Sequence, residues 1–277
     1  MRNWWGRRTR WQQFLLLALV VLAGYVGYVL LRPSEQSSAV FTIPIAGGDD
    51  EFRAEGRDPA WSPLGDTIAF TSQDDDDVET AFTFDLDDLS VATLAPGGAA
   101  TWSPDGTKIA VVVENEGEIF EIHIVDVETA ESTPLAEGNH PSWSPDGTTI
   151  AFDVIDDSGA STVNLIGVDT SVITPVTEGE EPSWSPDGAS LALVRETSDG
   201  VPEIYTIDLE TSQDSLVTEG DDPTWSPDGT IIAFTAEDGD ETFVSTVVPG
   251  SEPEAIIDGE APSWSPDGSQ LAFTRLD

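Results

Sequence analysis

The tripeptide Trp-Ser-Pro occurs six times, at Trp61, Trp102, Trp143, Trp184, Trp225 and Trp264, with successive spacings of 41, 41, 41, 41 and 39 residues. Self-similarity at one fixed period confines a chain to an array of repeated units, each too small to bury its apolar face alone. Five copies continue as Trp-Ser-Pro-Asp-Gly and the first, Trp61 to Gly65, as Trp-Ser-Pro-Leu-Gly. A short apolar run follows each: Thr67 to Phe70, Lys108 to Val111, Thr149 to Phe152, Ser190 to Leu193, Ile231 to Phe234 and Gln270 to Phe273.

The motif reads as a hairpin turn. Proline presets φ for a tight turn, aspartate bonds back to nearby backbone, and glycine accepts the positive φ that closes it. Further β-favouring stretches lie at Ala81 to Phe84, Ile122 to Val125, Val163 to Ile166, Ile204 to Ile207 and Phe243 to Val247, and shorter ones near Leu94, Leu135, Val176, Val217 and Ile256. Four short strands per period predict an all-β fold, a six-bladed β-propeller of four-stranded antiparallel blades. The sixth period stops after its second strand. Val40 to Ile45 and the segment around Phe52 supply the missing pair, so both chain ends close the last blade and remove a free edge.

Repeats such as Pro141 to Phe152 and Pro223 to Phe234, of the form Pro-x-Trp-Ser-Pro-Asp-Gly-x-x-Ile-Ala-Phe, resemble the TolB-like β-propeller repeat. The resemblance covers residues 40–277. It implies the propeller fold and, since TolB-like propellers bind proteins of the cell envelope, an envelope or cell-surface protein partner. It also admits the propellers that cap prolyl-oligopeptidase-type serine peptidases, which require a hydrolase domain that is not expected here. TolB carries an α/β domain ahead of its propeller, whereas only a short tether is expected there in this chain.

Charge divides the chain of 277 residues. Residues 1–34 hold five arginines and no acid, leaving five basic residues against all 53 acids beyond. Within the basic head, Phe14 to Leu31 is an uncharged apolar run of the length a bilayer-spanning helix needs. The expected organisation is a cytoplasmic segment over 1–13, a transmembrane helix over 14–31, a tether over 32–39 and the propeller over 40–277. Arg2, Arg7, Arg8 and Arg10 precede the run and only Arg32 follows it, which places the N-terminus inside and the propeller in the periplasm or outside the cell. A cleaved signal peptide is the rival reading, and its apolar region is ordinarily shorter.

Composition excludes several activities. Without cysteine there are no disulfides, thiolate metal sites or thiol catalysis. A net charge of −43 excludes nucleic acid as a partner. No Gly-x-Ser-x-Gly elbow occurs, and the two histidines limit triad chemistry, so no enzymatic activity is expected. His123 falls in a third-strand slot filled by Phe82 and Tyr205 in other repeats and reads as structural, as do the six motif tryptophans.

His140 stands three residues before a motif Trp, where propeller geometry places residues at a mouth of the central channel. Its equivalents are Asp58, Ala99, Glu181, Asp222 and Ala261, preceded by Arg57, Gly98, Glu180, Asp221 and Glu260. Asp58, Glu180, Glu181, Asp221 and Asp222 are the candidate ligands for a hard cation such as Ca²⁺, with solvated loop acids as the alternative. His140 and the run Asp74, Asp75, Asp76 and Asp77 are candidates for contact with a basic partner. The acidity also resembles that of proteins from salt-loving organisms, since at molar salt the Debye length is about 3 Å. The expected function is a membrane-anchored, non-catalytic binding or scaffolding module, with a sensor or solute-binding protein using the acidic channel as the alternative.

Overall fold

The computed structural model describes residues 16–22, 25–31, 38–73, 78–115, 119–239 and 241–276. It divides into two units, one reaching Ser37 and one running from Ser38 to Leu276.

In the first unit, Leu16–Leu22 pairs antiparallel with Tyr25–Leu31, from Leu16 against Leu31 to Leu22 against Tyr25. This pair replaces the transmembrane helix expected over 14–31. Val20, Val21, Val26 and Val29 favour extended backbone, and Gly27 costs a helix about 1 kcal/mol relative to alanine. Among the described residues no helix is long and apolar enough to cross a membrane.

The second unit is six four-stranded antiparallel sheets, each in sequential order from an inner strand outward. The inner strands are Arg57–Trp61, Gly98–Trp102, Asn139–Trp143, Glu180–Trp184, Asp221–Trp225 and Glu260–Trp264, and each touches the next to close a ring of six blades. Blades are numbered here from the one that begins at Arg57. Blade 6 takes Glu260–Trp264 and Gln270–Leu276 from one end of the chain and Ser38–Pro44 and Glu51–Glu55 from the other. Leu276 pairs with Ser38 and Gln270 with Pro44, as the closure read from the repeats requires. The Arg275 guanidinium, 3.9 Å from the centre of the Phe41 ring, and its 2.8 Å ion pair with Asp50 fasten that seam.

The core lies between blades, and the second strands show why. In the Ile-Ala-Phe run of blade 1, Ile68 and Phe70 pack back against Val40, Ala54 and Ala272 of blade 6, while Ala69 packs forward against Ile109 and Val111 of blade 2. A small residue on one face receives large ones from the neighbour, and the same interdigitation fills the other junctions. Each buried aliphatic side chain contributes roughly 1.5–3 kcal/mol.

The turns are equally regular. In four copies the serine hydroxyl donates to the motif aspartate at 2.7 Å or less and accepts the backbone N–H five residues on, as Ser144 does with Asp146 and Thr149. Ser265 repeats this with Asp267 and Gln270. In the first copy Leu64 replaces the aspartate, and Ser62 donates instead to Asp66 at 3.0 Å. The motif tryptophans sit in the junctions. Trp102 and Trp264 donate their indole N–H to Ala60 and Thr224 carbonyls of the preceding blade, whereas the indole nitrogens of Trp61, Trp143, Trp184 and Trp225 are buried without a hydrogen-bond partner.

Candidate functional site

Each inner strand opens on a β-bulge at the channel mouth. Glycine ends the preceding connection, and the second residue of the strand adopts left-handed backbone: Asp58, Ala99, His140, Glu181, Asp222 and Ala261 all have φ between 46° and 54°. The bulge sits where pairing skips, as between Asn139 and Ser142. The glycines are required there. At Gly138, φ is +151° and an added Cβ would lie 2.5 Å from the Phe152 ring.

At four junctions the left-handed residue turns its N–H toward the preceding blade, where one slot on the second strand receives it. Thr274 Oγ1 accepts Asp58 N at 3.0 Å, Thr71 accepts Ala99 N at 3.1 Å, and Thr235 accepts Ala261 N at 2.9 Å. Blade 3 carries Asp153 in that slot, and its Oδ1 accepts Glu181 N at 3.2 Å. Blade 4 carries Val194, and the Glu181 carboxylate reaches across to accept Asp222 N at 2.8 Å. Thr235 in turn donates to Asp222 at 2.9 Å, so one hydrogen-bonded chain runs from blade 3 to blade 6.

His140 joins this chain. Its Nδ1 lies 2.6 Å from Asp153 Oδ1, with the imidazole 16% exposed and the carboxylate fully buried. Burial alone would lower the imidazole pKa. The Asp153 charge and hydrogen bond, with Glu181 and Glu180 behind them, outweigh burial and raise it to about 10, so His140 is an imidazolium at neutral pH. Burial and the Asp222 charge push the Glu181 carboxyl well above the usual range, and His140 opposes them. Across the mouth, Arg57 is held between Asp58 at 2.7 Å and Glu79 at 2.6 Å. Burial raises the Glu79 carboxyl, with Arg57 opposing. Gly98 makes this triad possible, because a Cβ there would run into the Glu79 carboxylate.

The candidate cation ligands thus occupy the mouth, but Asp58, Glu181 and Asp222 are turned onto Arg57, backbone N–H and hydroxyl groups. Among the described residues no group of three or more His, Asp and Glu is arranged to hold a metal ion. Asp74, Asp75, Asp76 and Asp77 lie outside the described residues. His123 stands on the third strand of blade 2, with Nδ1 3.0 Å from Ser132 and Nε2 3.4 Å from Glu121, away from the mouth.

Two features escaped the sequence reading. Asp153 carries no motif, and its only signal is an acid in a slot that elsewhere holds threonine or valine. The other is a set of exposed acids at one corner of five blades: Glu55, Glu137, Glu178, Glu219 and Asp258, each immediately before the glycine that enters the next inner strand. Pro96 takes the sixth position.

A closed ring of six four-stranded blades, with charged side chains at one mouth, defines a β-propeller of the repeat-built class. The TolB beta propeller domain model matches residues 58–252, and the chain belongs to that family. A TolB candidate from Agrobacterium tumefaciens superposes with a TM-score of 0.76 at 20% identity, covering 87% of this chain and 98% of the other. TolB from Acinetobacter baumannii gives 0.66 at 18% identity, covering 87% of this chain and 64% of its own. An oligogalacturonate lyase in complex with manganese gives 0.54 at 12% identity, covering 96% of each chain. Likeness at these identities carries the fold and not the activity. No curated protein matches the sequence significantly.

Proposed function

We propose that this protein is a non-catalytic binding module that holds a basic partner protein against the mouth face of its propeller, outside the cytoplasm and attached to a membrane through residues 14–31. Charge placement carries the reading. Five blades present an exposed carboxylate at the same mouth-side corner, while the four propeller arginines are engaged with acids of the chain itself: Arg53 with Glu51, Arg57 with Asp58 and Glu79, Arg195 with Asp214, and Arg275 with Asp50. A basic surface approaching this face meets a negative field that speeds encounter and weakens with salt. Family membership supports a binding role. His140, its pKa raised against burial to about 10 by Asp153 and the acids behind it, holds its proton at neutral pH and so does not serve as a general base.

The test is binding of a partner captured from envelope extract to the wild-type chain and to a Glu137→Gln, Glu178→Gln, Glu219→Gln variant. The variant is expected to bind about tenfold more weakly, with a flatter salt dependence. Unchanged affinity would refute the mouth-face contact. A melting temperature raised by micromolar Ca²⁺ at fixed ionic strength, with no protein retained, would instead assign the mouth acids to a cation. Membrane attachment is tested separately, by whether the chain stays with membranes after alkaline extraction.

A further inference from the structure

The opposite face of the propeller, built from the Ser-Pro-Asp-Gly turns, has its own irregularity. Where the other blades place Thr67, Lys108, Thr149, Ser190 and Gln270 directly after the turn, blade 5 places Ile231. At the junction of blades 5 and 6 this isoleucine joins Ile45, Pro227 and Trp264 in the lining of a cleft of about 310 Å³, which Asp228 and Asp267 also line. Ile45 and Ile231 pack against the same cluster as Trp264, whose indole is fixed by its bond to the Thr224 carbonyl. The two aspartates are fixed by their turns: Asp228 accepts Ser226 Oγ and Thr230 N, and Asp267 accepts Ser265 Oγ and Ser269 N.

We infer that this cleft is a second docking site, which takes an arginine side chain from an extended segment of a partner protein. The match is one of shape and charge. An arginine presents an apolar stem that suits Ile45, Ile231 and Pro227, a planar cation that suits an indole, and a fork of N–H donors that suits carboxylates. Both carboxylates are held below the usual range by their hydrogen bonds, Asp267 to about 2, so they remain charged in any ordinary medium. No other junction combines an isoleucine after the turn with this pair of acids. The site lies on the face away from the mouth, so it goes beyond the binding role proposed above and stands or falls separately from it. Two docking sites on opposite faces would let one propeller hold two segments.

Repeat symmetry provides the controls for a test by NMR titration of the 277-residue chain at fixed ionic strength. The probes are a blocked arginine peptide, acetyl-Gly-Arg-Gly-amide, and its neutral citrulline isostere. The arginine peptide is expected to shift the Gly268 and Ile231 amides and the Trp264 indole N–H saturably, with at least about tenfold weaker effects at the equivalent Gly65, Gly106, Gly147 and Gly188. The citrulline peptide should leave all of them in place. Ile231→Thr, which installs the residue of blade 3, should reduce affinity about tenfold while keeping the spectrum of a folded propeller. Equal shifts at all the turns, or equal shifts with citrulline, would overturn the inference and leave only a general attraction to an acidic surface.

Discussion

Asp153 is the residue on which the channel mouth depends most. It is a fully buried carboxylate that accepts from His140 Nδ1 and from Glu181 N, and Ser161 Oγ donates to its other oxygen at 3.3 Å. Truncation to alanine removes the buried counter-charge of the partly exposed His140 imidazolium and leaves an inter-blade N–H unsatisfied. Asp153→Ala is therefore expected to cost about 3–5 kcal/mol in denaturant unfolding, and Asp153→Thr, which restores a clasp used at three other junctions, clearly less. The pH sign follows from His140. Its folded pKa is raised to about 10 from 6.5, so its contribution is complete below 6.5 and lost as pH rises through 10. Stability of the wild type should fall across that window, and the fall should shrink in Asp153→Thr. The sequence placed His140 at the mouth and showed an acid where other blades carry threonine or valine, but not their pairing, because an aspartate in a strand slot does not disclose which neighbouring blade it faces.

At the scale of the element, the Ser-Pro-Asp-Gly turn was legible and its hydrogen bonds follow from its residues. Serine and aspartate close the turn on each other, and the aspartate also accepts the N–H two residues on, as Asp146 does from Thr148 at 3.0 Å. These bonds hold Asp105, Asp146, Asp187, Asp228 and Asp267 below the usual aspartate range. Stability from them is present above about pH 4 and lost as pH falls through their folded values. Removing one turn, by Asp146→Ala, is expected to lower the melting temperature by about 2–4 °C. Leu64, 73% exposed in the first copy, gives the converse. Leu64→Asp with Asp66→Thr rebuilds the common turn and should raise the melting temperature by a similar amount. Leu16–Leu22 and Tyr25–Leu31 are strands where the sequence suggested helix, because an uncharged stretch rich in leucine and valine has no period to separate the two.

At the scale of the whole molecule, six periods in register dictated the architecture, and the missing half of the last period dictated its closure. Leu271, Phe273, Phe41 and Ile43 pack in one cluster although they come from opposite ends of the chain. Deleting Ser38–Glu55 should therefore leave blade 6 with two strands and abolish cooperative thermal unfolding, where an equal deletion of a surface loop would not. Long-range repulsion acts on the same frame. With the arginines paired and many carboxylates uncompensated, the unfolding midpoint should rise as NaCl increases from about 0.1 M to about 1 M, where the Debye length contracts to about 3 Å. The positions around the mouth were readable from the repeat. Their roles were not, because whether an acid faces solvent, a histidine or a backbone N–H depends on the neighbouring blade.

If the mouth face carries the partner, site-specific photocrosslinking in living cells traps it there. A photoreactive phenylalanine analogue at position 178, on the mouth-side corner of blade 3, is compared with one at position 210, in the loop beyond the third strand of blade 4 on the turn face. A mouth-face contact gives a discrete protein adduct from position 178 that disappears when Glu137 and Glu219 are changed to glutamine. Adducts from position 210 alone, or an adduct at 178 indifferent to those charges, would contradict it.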